Sequence, residues 1–470
     1  MNTIGIVITD GVGYRNFILS EFPKAVLQKF DKAVIYSCLP SSAYPASITN
    51  HITIVELEIF REGTITGFLR KVKELAHLRN HTKGNFGIAD NLKANWNPRF
   101  SKSGIRTRLT FLLSFFFSSE QNILTWTKWQ MFSLRHHPIT QKYKSLLKQS
   151  KTEILFFTHQ RPPFIAPIIE AARQCGIKTS AFIFSWDNLV SKGRMAGNFD
   201  AYIVWSNLMK DEMLHFYPSV KPEQVHIGGT PQFEPYVMDI YITPANEFFN
   251  RFELDKNKPT LCFSCGDIST SKNDELYITE ILNAILNNEI SQSVNFIVRT
   301  SPAEAPERFL ALAQQFPFVK WNFPKWIYAR EGHPESWTQR IPTSEDVKNL
   351  RAILEYCDVN INMCSTMSLD FMQFDKPVIN PVFGTDTNGL YNDQRFLKYA
   401  HYERVVNSGA VTIAKNRQEL INAINVALQD SQKASAERKK LLNLQIGKPL
   451  KGTSEAIAEI LLDLVLPRTP

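Results

Sequence analysis

The stretch "CSTMSLDFMQFDKPVINPVFG", residues 364–384, decides how the chain is read. It follows "YCDVNIN", a last helical turn running into a buried strand, and it leads through Lys376-Pro377 into a second apolar strand. The loop between them, residues 363–366, is expected to open a helix over 367–374 with Ser365 or Thr366 at its N-cap, where a short hydroxyl accepts from free backbone N–H groups. The same N–H groups and the helix dipole favour a phosphate. Ser365, Thr366 and Ser368 add hydroxyl donors, and Asp370 is a carboxylate able to accept from a diol. Plain capping would also produce hydroxyls and an acid at a helix start, so the segments around the loop carry the decision.

Those segments repeat the pattern of a strand ending in a polar loop. "FIVRTSP" places Arg299 and Ser301 after a strand, where a guanidinium can clamp a diphosphate. "FSCGD" places Gly266 and Asp267 after another, allowing close backbone approach to a ligand. Upstream, "IGIVIT", "KAVIYSCLP", "TEILFFTHQ", "KTSAFIFSW", "FDAYIVWS" and "EQVHIGG" alternate with helical patterns, and "PTLCFSC", "VNFIVRT", "FVKWNFP", "CDVNIN" and "KPVINP" form a second series. Alternation of this kind implies parallel sheets with helices on both faces. The expected architecture is α/β, with two Rossmann-like, doubly wound domains over residues 1–236 and 237–470 facing a cleft. Ligands of open α/β sheets sit at the carboxyl ends of the strands. A final amphipathic helix over 454–466 is free to cross back onto the first domain.

Totals narrow the class. A chain of 470 residues with 44% hydrophobic and 21% charged residues is a multidomain globular protein. The six cysteines are scattered through apolar runs, which suits a reducing compartment, and Cys262/Cys265 read as core residues of a strand rather than as half of a zinc site. No signal peptide is read at the N-terminus, and the longest greasy run, "LTFLLSFFFSS", is far shorter than a spanning helix. The expectation is a cytoplasmic protein. Of the net charge of +8, an equal excess lies between Arg61 and Arg108, where eleven cations face Glu62, Glu74 and Asp90. This block, followed by Phe- and Trp-rich runs, suits an anionic membrane surface or a lipid-linked phosphate as partner. Solvated helices with an aromatic core face are the other reading. No nucleic-acid motif accompanies the charge.

The second half resembles the donor half of the GT-B glycosyltransferases, an architecture shared with UDP-GlcNAc 2-epimerases, and also the CDP-glycerol glycerophosphotransferases. The residues that carry the likeness are Arg299-Thr300-Ser301-Pro302, Asp358-Val359-Asn360-Ile361, Ser365-Thr366, Asp370 and Lys376-Pro377-Val378-Ile379. The resemblance implies that Ser365, Thr366 and Ser368 bind the diphosphate of a nucleotide-diphosphate sugar and that Asp370 meets its ribose or sugar, and the strand-end loops add Gly266, Asp267, Arg299 and Ser301 to the same expected site. Ser301 stands where these relatives carry His. Asn362 stands where many retaining enzymes carry the first Glu of a pair, so the likeness implies inversion. "FIFSWDNLVSKGRM" and "GGTPQFEPY" resemble bacterial transferases that build surface polysaccharides, which implies a glycan or lipid-linked acceptor near Asp187, Asn188, Ser191 and Lys192; with the basic block, the expected place is cytoplasmic and peripheral at the inner face of the cell membrane.

An inverting transfer needs a base at the acceptor hydroxyl. Asp10, flanked by Gly11 and Gly13 after the first strand, is the first candidate, with Gly11 approaching substrate; His159 and Asp187 follow, the histidine having the friendlier intrinsic pKa. No metal or other cofactor is expected, because no Asp-x-Asp pair occupies a suitable loop and cations can stabilise the leaving diphosphate. The expectation is a metal-independent inverting glycosyltransferase. A CDP-glycerol-type polyol-phosphate transferase, a 2-epimerase and a non-catalytic nucleotide-sugar-binding protein are the alternatives.

Overall fold

The computed structural model describes residues 2–97, 99, 101–304, 306–384 and 390–466. The chain divides into two compact α/β units: Met1–Glu234 with Tyr328–Ile341 and Gln445–Pro470, and Pro235–Ile327 with Pro342–Leu444.

The first unit is built on seven strands: β1 (Thr3–Ile8), β2 (Lys32–Ser37), β3 (Thr53–Glu56), β4 (Ile154–Phe157), β5 (Lys178–Phe182), β6 (Ala201–Val204) and β7 (Val225–Ile227). They run parallel in the order β3-β2-β1-β4-β5-β6-β7. β1 is apolar at nearly every position because both faces of a parallel sheet are covered by helices. Register places Ile4 between Ala33 and Ile154. A Cβ at Gly5 would lie 2.7 Å from Leu155 and 2.8 Å from Tyr36, so only glycine lets the neighbouring side chains close over the strand. Phe17 meets Phe22, Phe156 and Phe182 edge-on, at centroid separations of 5.1, 5.3 and 5.2 Å. The order of the sheet reverses between β1 and β4, and the connection from β3 to β4 carries the helices Thr64–Asn80, Phe86–Ala94, Lys102–Phe116, Glu120–Leu134 and Pro138–Ser150.

The last helix, Thr453–Val465, belongs to this unit and packs on the helix Phe22–Lys29, with Ile457, Ala458 and Leu461 buried. Glu234 receives it: the carboxylate accepts from the Ser454 N–H at 3.1 Å and the Glu21 N–H at 3.2 Å, and burial pushes its pKa up.

The second unit holds a six-stranded sheet of β8 (Thr260–Ser264), β9 (Asn295–Arg299), β10 (Lys320–Asn322), β13 (Val359–Ile361), β14 (Val378–Pro381) and β15 (Thr412–Ala414), in the order β10-β9-β8-β13-β14-β15. All its pairings are parallel, and the order reverses between β8 and β13. Two further strands, β11 (Trp326–Tyr328) and β12 (Arg340–Pro342), form a short separate ribbon. The core is one aliphatic and aromatic cluster around Leu261, Phe263, Ile281, Val298 and Ile361. Cys262 lies in β8 and Cys265 just beyond it, both buried and free. Two Rossmann-like, parallel-sheet units are thus the architecture read from the sequence. No helix among the described residues is long and apolar enough to cross a membrane.

Leu461 is fully buried. Leu461→Ala is expected to destabilise the protein by about 2–5 kcal/mol, seen as a lower urea midpoint at unchanged m-value. An unchanged midpoint would show that the last helix adds nothing to the core of the first unit.

Candidate functional site

In each sheet the reversal of strand order leaves a crevice at the carboxyl ends of two neighbouring strands. In the first unit these are β1 and β4, and the residues that follow them are Thr9-Asp10 and Thr158-His159. Asp10 is the N-cap of the helix Gly11–Ile18: its Oδ1 accepts from the Gly13 N–H at 2.8 Å. Its Oδ2 accepts from the Thr9 hydroxyl at 2.7 Å and lies 3.0 Å from His159 Nδ1. The two leading candidates for the base are therefore one hydrogen-bonded pair. Burial works to raise the pKa of Asp10, but the bond and charge of His159, with Gly13 and Thr9, hold it below the usual value. An ionised carboxylate is acceptor-only, so Nδ1 is the donor and Nε2 is left as the basic nitrogen. Burial lowers the pKa of His159, partly offset by the bond and charge of Asp10. The imidazole lies flat on Phe184, at 3.8 Å between ring centres and 11° between planes, and keeps 7% of its surface exposed.

The polar residues after β5 form the next layer. Gln160 Nε2 donates to Asn188 Oδ1 at 3.1 Å, and Asp187 is held by Asn188 Nδ2 at 3.0 Å and Lys192 Nζ at 3.3 Å. Ser191 donates to the Asp187 carbonyl at 2.7 Å and is buried. Asp187, Asn188, Ser191 and Lys192 thus form one local network, joined to β4 through Gln160. Gly11 has a different task. A Cβ there would lie 1.5 Å from the Arg340 carbonyl oxygen, so the glycine admits the returning segment Tyr328–Ile341.

Two groups at this edge escaped the sequence reading. Arg161, two residues beyond His159, is half-buried with its Nε unpartnered. Glu335, on the returning segment, has a pKa raised by burial; the charge of Asp10 pushes the same way, and Arg70 and Arg161 oppose it. Adjacency to His159 was the available signal for Arg161. Glu335 had none, because its position depends on a segment more than three hundred residues distant along the chain.

The second unit treats its candidates differently. Arg299 is buried and bonded to Asp346, at 3.2 Å from Oδ1 and 2.9 Å from Oδ2, and also to Asn322. The charge and bonds of Arg299, the Lys325 N–H and the Trp326 indole outweigh burial and lower the pKa of Asp346. Arg299 therefore ties strands to the helix Ser344–Tyr356. Ser301 accepts from the Ala303 N–H at 3.2 Å within its own turn. Asp267 closes its loop by accepting from the Ser269 N–H and the Thr270 hydroxyl, each at 2.9 Å. A Cβ at Gly266 would meet Ser271 at 2.6 Å.

The Ser365 loop rests on buried amides. Asn360 donates to Ser264 Oγ at 2.8 Å, Asn362 to Asn360 Oδ1 at 2.6 Å, and Asn380 to the Asn362 carbonyl at 2.7 Å. Asn362 Oδ1 in turn accepts from the Ser365 N–H at 2.8 Å, fixing the loop. Ser368 is inside this network, 2.8 Å from the Tyr402 hydroxyl, and Asp370 is buried and accepts from Tyr236. Ser365 and Thr366 remain half-exposed, and the helix is short, Met367–Met372.

No protein-family model matches the chain, and no curated protein matches it. Solved structures do. A UDP-GlcNAc 2-epimerase from Neisseria meningitidis bound to UDP-GlcNAc superposes at a TM-score of 0.51 with 11% identity, covering 98% of this chain and 100% of its own. A glycosyltransferase from Rickettsia africae ESF-5 gives 0.50 with 10% identity over 100% and 99% of the two chains. Alr3699/HepE of Anabaena, in complex with UDP and glucose, gives 0.50 with 12% identity over 98% and 100%. At these identities the likeness is one of fold: the chain has the GT-B architecture of two Rossmann-like units.

Asp274, fully buried beneath the Gly266 loop, has a pKa pushed up to about 8 by burial, against the pull of Ser271, Arg308 and the Gly266 N–H. A carboxyl raised above its unfolded value of 3.8 stabilises most when protonated. Its contribution is complete below about pH 4 and is lost as pH rises through about 8, at up to roughly 1.4 kcal/mol per pH unit. Asp274→Asn should flatten this slope, so the variant gains stability relative to wild type as pH rises from 4 to 8 in urea titrations. Parallel pH profiles would mean that Asp274 is ionised in the fold.

Proposed function

We propose that the protein is an enzyme acting on nucleotide sugars. Specifically, we read it as a metal-independent glycosyltransferase that passes a sugar from a nucleotide-diphosphate donor to a hydroxyl of a glycan or lipid-linked acceptor, with inversion. The observation that carries this reading is the Asp10–His159 pair at the strand-order reversal of the first unit. The fold supports it, as do the nucleotides named with its neighbours: UDP-GlcNAc in one structure and UDP in another.

In this scheme His159 Nε2 takes the proton from the acceptor hydroxyl as its oxygen attacks the anomeric carbon and the bond to the diphosphate breaks. Asp10 holds the ring by Nδ1 and stabilises the imidazolium that forms. It is a positioning residue rather than the base. Phe184 keeps the imidazole in one plane. Ser365 and Thr366 are assigned to the diphosphate of the donor, with Ser301 and the Gly266–Asp267 turn at the same sheet edge. Arg299, Ser368 and Asp370 support those loops from behind. Asn188, Ser191 and Lys192 are assigned to the acceptor side through their network with Asp187.

UDP is the ligand to try first, against CDP, GDP and dTDP, by calorimetry. Selective UDP binding, weakened about tenfold or more in Ser365→Ala/Thr366→Ala, supports the donor assignment. CDP selectivity would instead favour polyol-phosphate transfer. No binding by folded protein would end the nucleotide-sugar reading. For the chemistry, UDP release from a UDP-sugar should fall about 10²–10⁴-fold in His159→Ala and in Asp10→Asn, with UDP affinity unchanged. The base must be neutral, and burial lowers its pKa, so kcat should fall only as pH drops below about 6.5. Conversion of UDP-GlcNAc to its 2-epimer without release of UDP would replace transfer by epimerisation.

A further inference from the structure

The helix Lys102–Phe116 is inside out. Its fully buried residues are small and polar: Thr110 and Ser114 are 1% and 0% exposed, and a Cβ at Gly104 would lie 1.8 Å from the Arg99 carbonyl oxygen, while Leu113 packs beside them against Val72, Ala76, Ile123 and Trp126. Its outward residues are large and apolar, with Ile105 63%, Leu109 46%, Leu112 54% and Phe116 65% exposed. At 100° per residue these four fall within an arc of about 60°. On the same wheel Lys102 and Arg106 flank one edge of the stripe and Arg108 flanks the other. A chain that buries hydroxyls and exposes leucines along one helix is presenting a surface to something apolar.

The patch continues onto the next helix, Glu120–Leu134. Phe117, Trp126 and Trp129 form a chain of edge-on rings, at 6.3 and 5.1 Å, and Phe132 is exposed one turn further on. Lys128, Trp129, Phe132 and Arg135 are among the residues lining a cavity of about 730 Å³.

Charge selects the occupant. From residue 91 to residue 152 there are eleven lysines and arginines and a single carboxylate, Glu120. That carboxylate is taken by Arg194, at 2.9 and 2.8 Å. A second copy of the chain docking by this face would bring the same cations onto themselves. An anionic bilayer complements both features, because apolar side chains enter the acyl boundary while flanking cations reach the head groups. We infer that the helices Lys102–Phe116 and Glu120–Leu134 dock the protein on an anionic membrane surface, with Ile105, Leu109, Leu112 and Phe116 inserted. This surface stands independently of the reaction assigned above, and so does its test.

The test is co-sedimentation of the intact protein with vesicles of phosphatidylcholine, with or without one-third phosphatidylglycerol. Binding is expected to the anionic vesicles, weakening as salt is raised. The variant Leu109→Gln/Leu112→Gln/Phe116→Gln should lose roughly a hundredfold or more in partitioning while keeping its circular dichroism and urea midpoint, since all three side chains are exposed. Lys102→Gln/Arg106→Gln should lower binding to anionic vesicles only. Protein that stays in solution with anionic vesicles would overturn the inference, as would triple-variant binding equal to wild type. A wild-type dimer in sedimentation equilibrium that the triple variant dissolves would assign the face to a second copy and overturn it equally.

Discussion

Parallel pairing is the constraint on which everything else depends. Each sheet must turn one edge, the carboxyl ends of its strands, into a row of loops, and the reversal of order between β1 and β4 opens a gap in that row. Asp10 and His159 are 149 residues apart in sequence and meet only because β1 and β4 are neighbours. Their burial is affordable because each answers the other. Alone, a carboxylate with no exposed surface would be driven toward its neutral form by desolvation. Bonded to the imidazole, Thr9 and Gly13, it stays ionised and sets the ring's tautomer. The surrounding glycines serve this geometry: a Cβ at Gly13 would lie 2.8 Å from the Thr158 hydroxyl, which is itself bonded to the Val7 carbonyl at 2.9 Å.

The second unit solves the same problem with neutral groups. Asparagines on β13 and β14 and a serine on β8 bond sideways across the sheet, so the loop after β13 is anchored by amides instead of charges. A buried polar network of this kind stabilises only when complete, since a missing partner leaves a desolvated group behind. Cys364 adopts a positive φ of 50° at the turn, a conformation a non-glycine side chain enters at some cost. The Asn362–Ser365 bond one residue further on holds that turn in place.

The fold was legible because buried parallel strands are nearly continuous apolar runs, and every long run became a strand where expected. The strands that escaped notice are all short and carry little pattern: β3 and β15 lie at sheet edges with partly exposed residues, and β11 and β12 span three residues each in the separate ribbon. The sites were less legible for a specific reason. A serine at a helix start has the same sequence signature whether it faces solvent or core, so Ser365 and Ser368 looked alike although one is half-exposed and the other fully buried. Arg299 looked like a clamp for an anion and proved to be bonded to Asp346, an anion supplied by the chain itself. Asp10 and His159 were recognised singly, yet their pairing required knowing that β4 lies beside β1.

The inverted helix shows why amphipathic pattern alone cannot tell which face is inside. Thr110 and Ser114 satisfy their hydroxyls on their own helix, donating to the carbonyls of Thr107 and Phe111 at 2.8 Å each. Their burial therefore leaves no unmet hydrogen bond. Small side chains there let the helix lie close against Thr64–Asn80, whose Arg79 covers the rings of Phe111 and Phe115 at 5.9 and 5.3 Å. Of the helix's leucines, Leu113 packs against the cluster of Val72, Ala76, Ile123 and Trp126, whereas the exposed Ile105, Leu109, Leu112 and Phe116 add little to the core of the first unit. Removing them from the surface would cost the fold little, so their presence calls for an external partner, and the cations beside them define its charge.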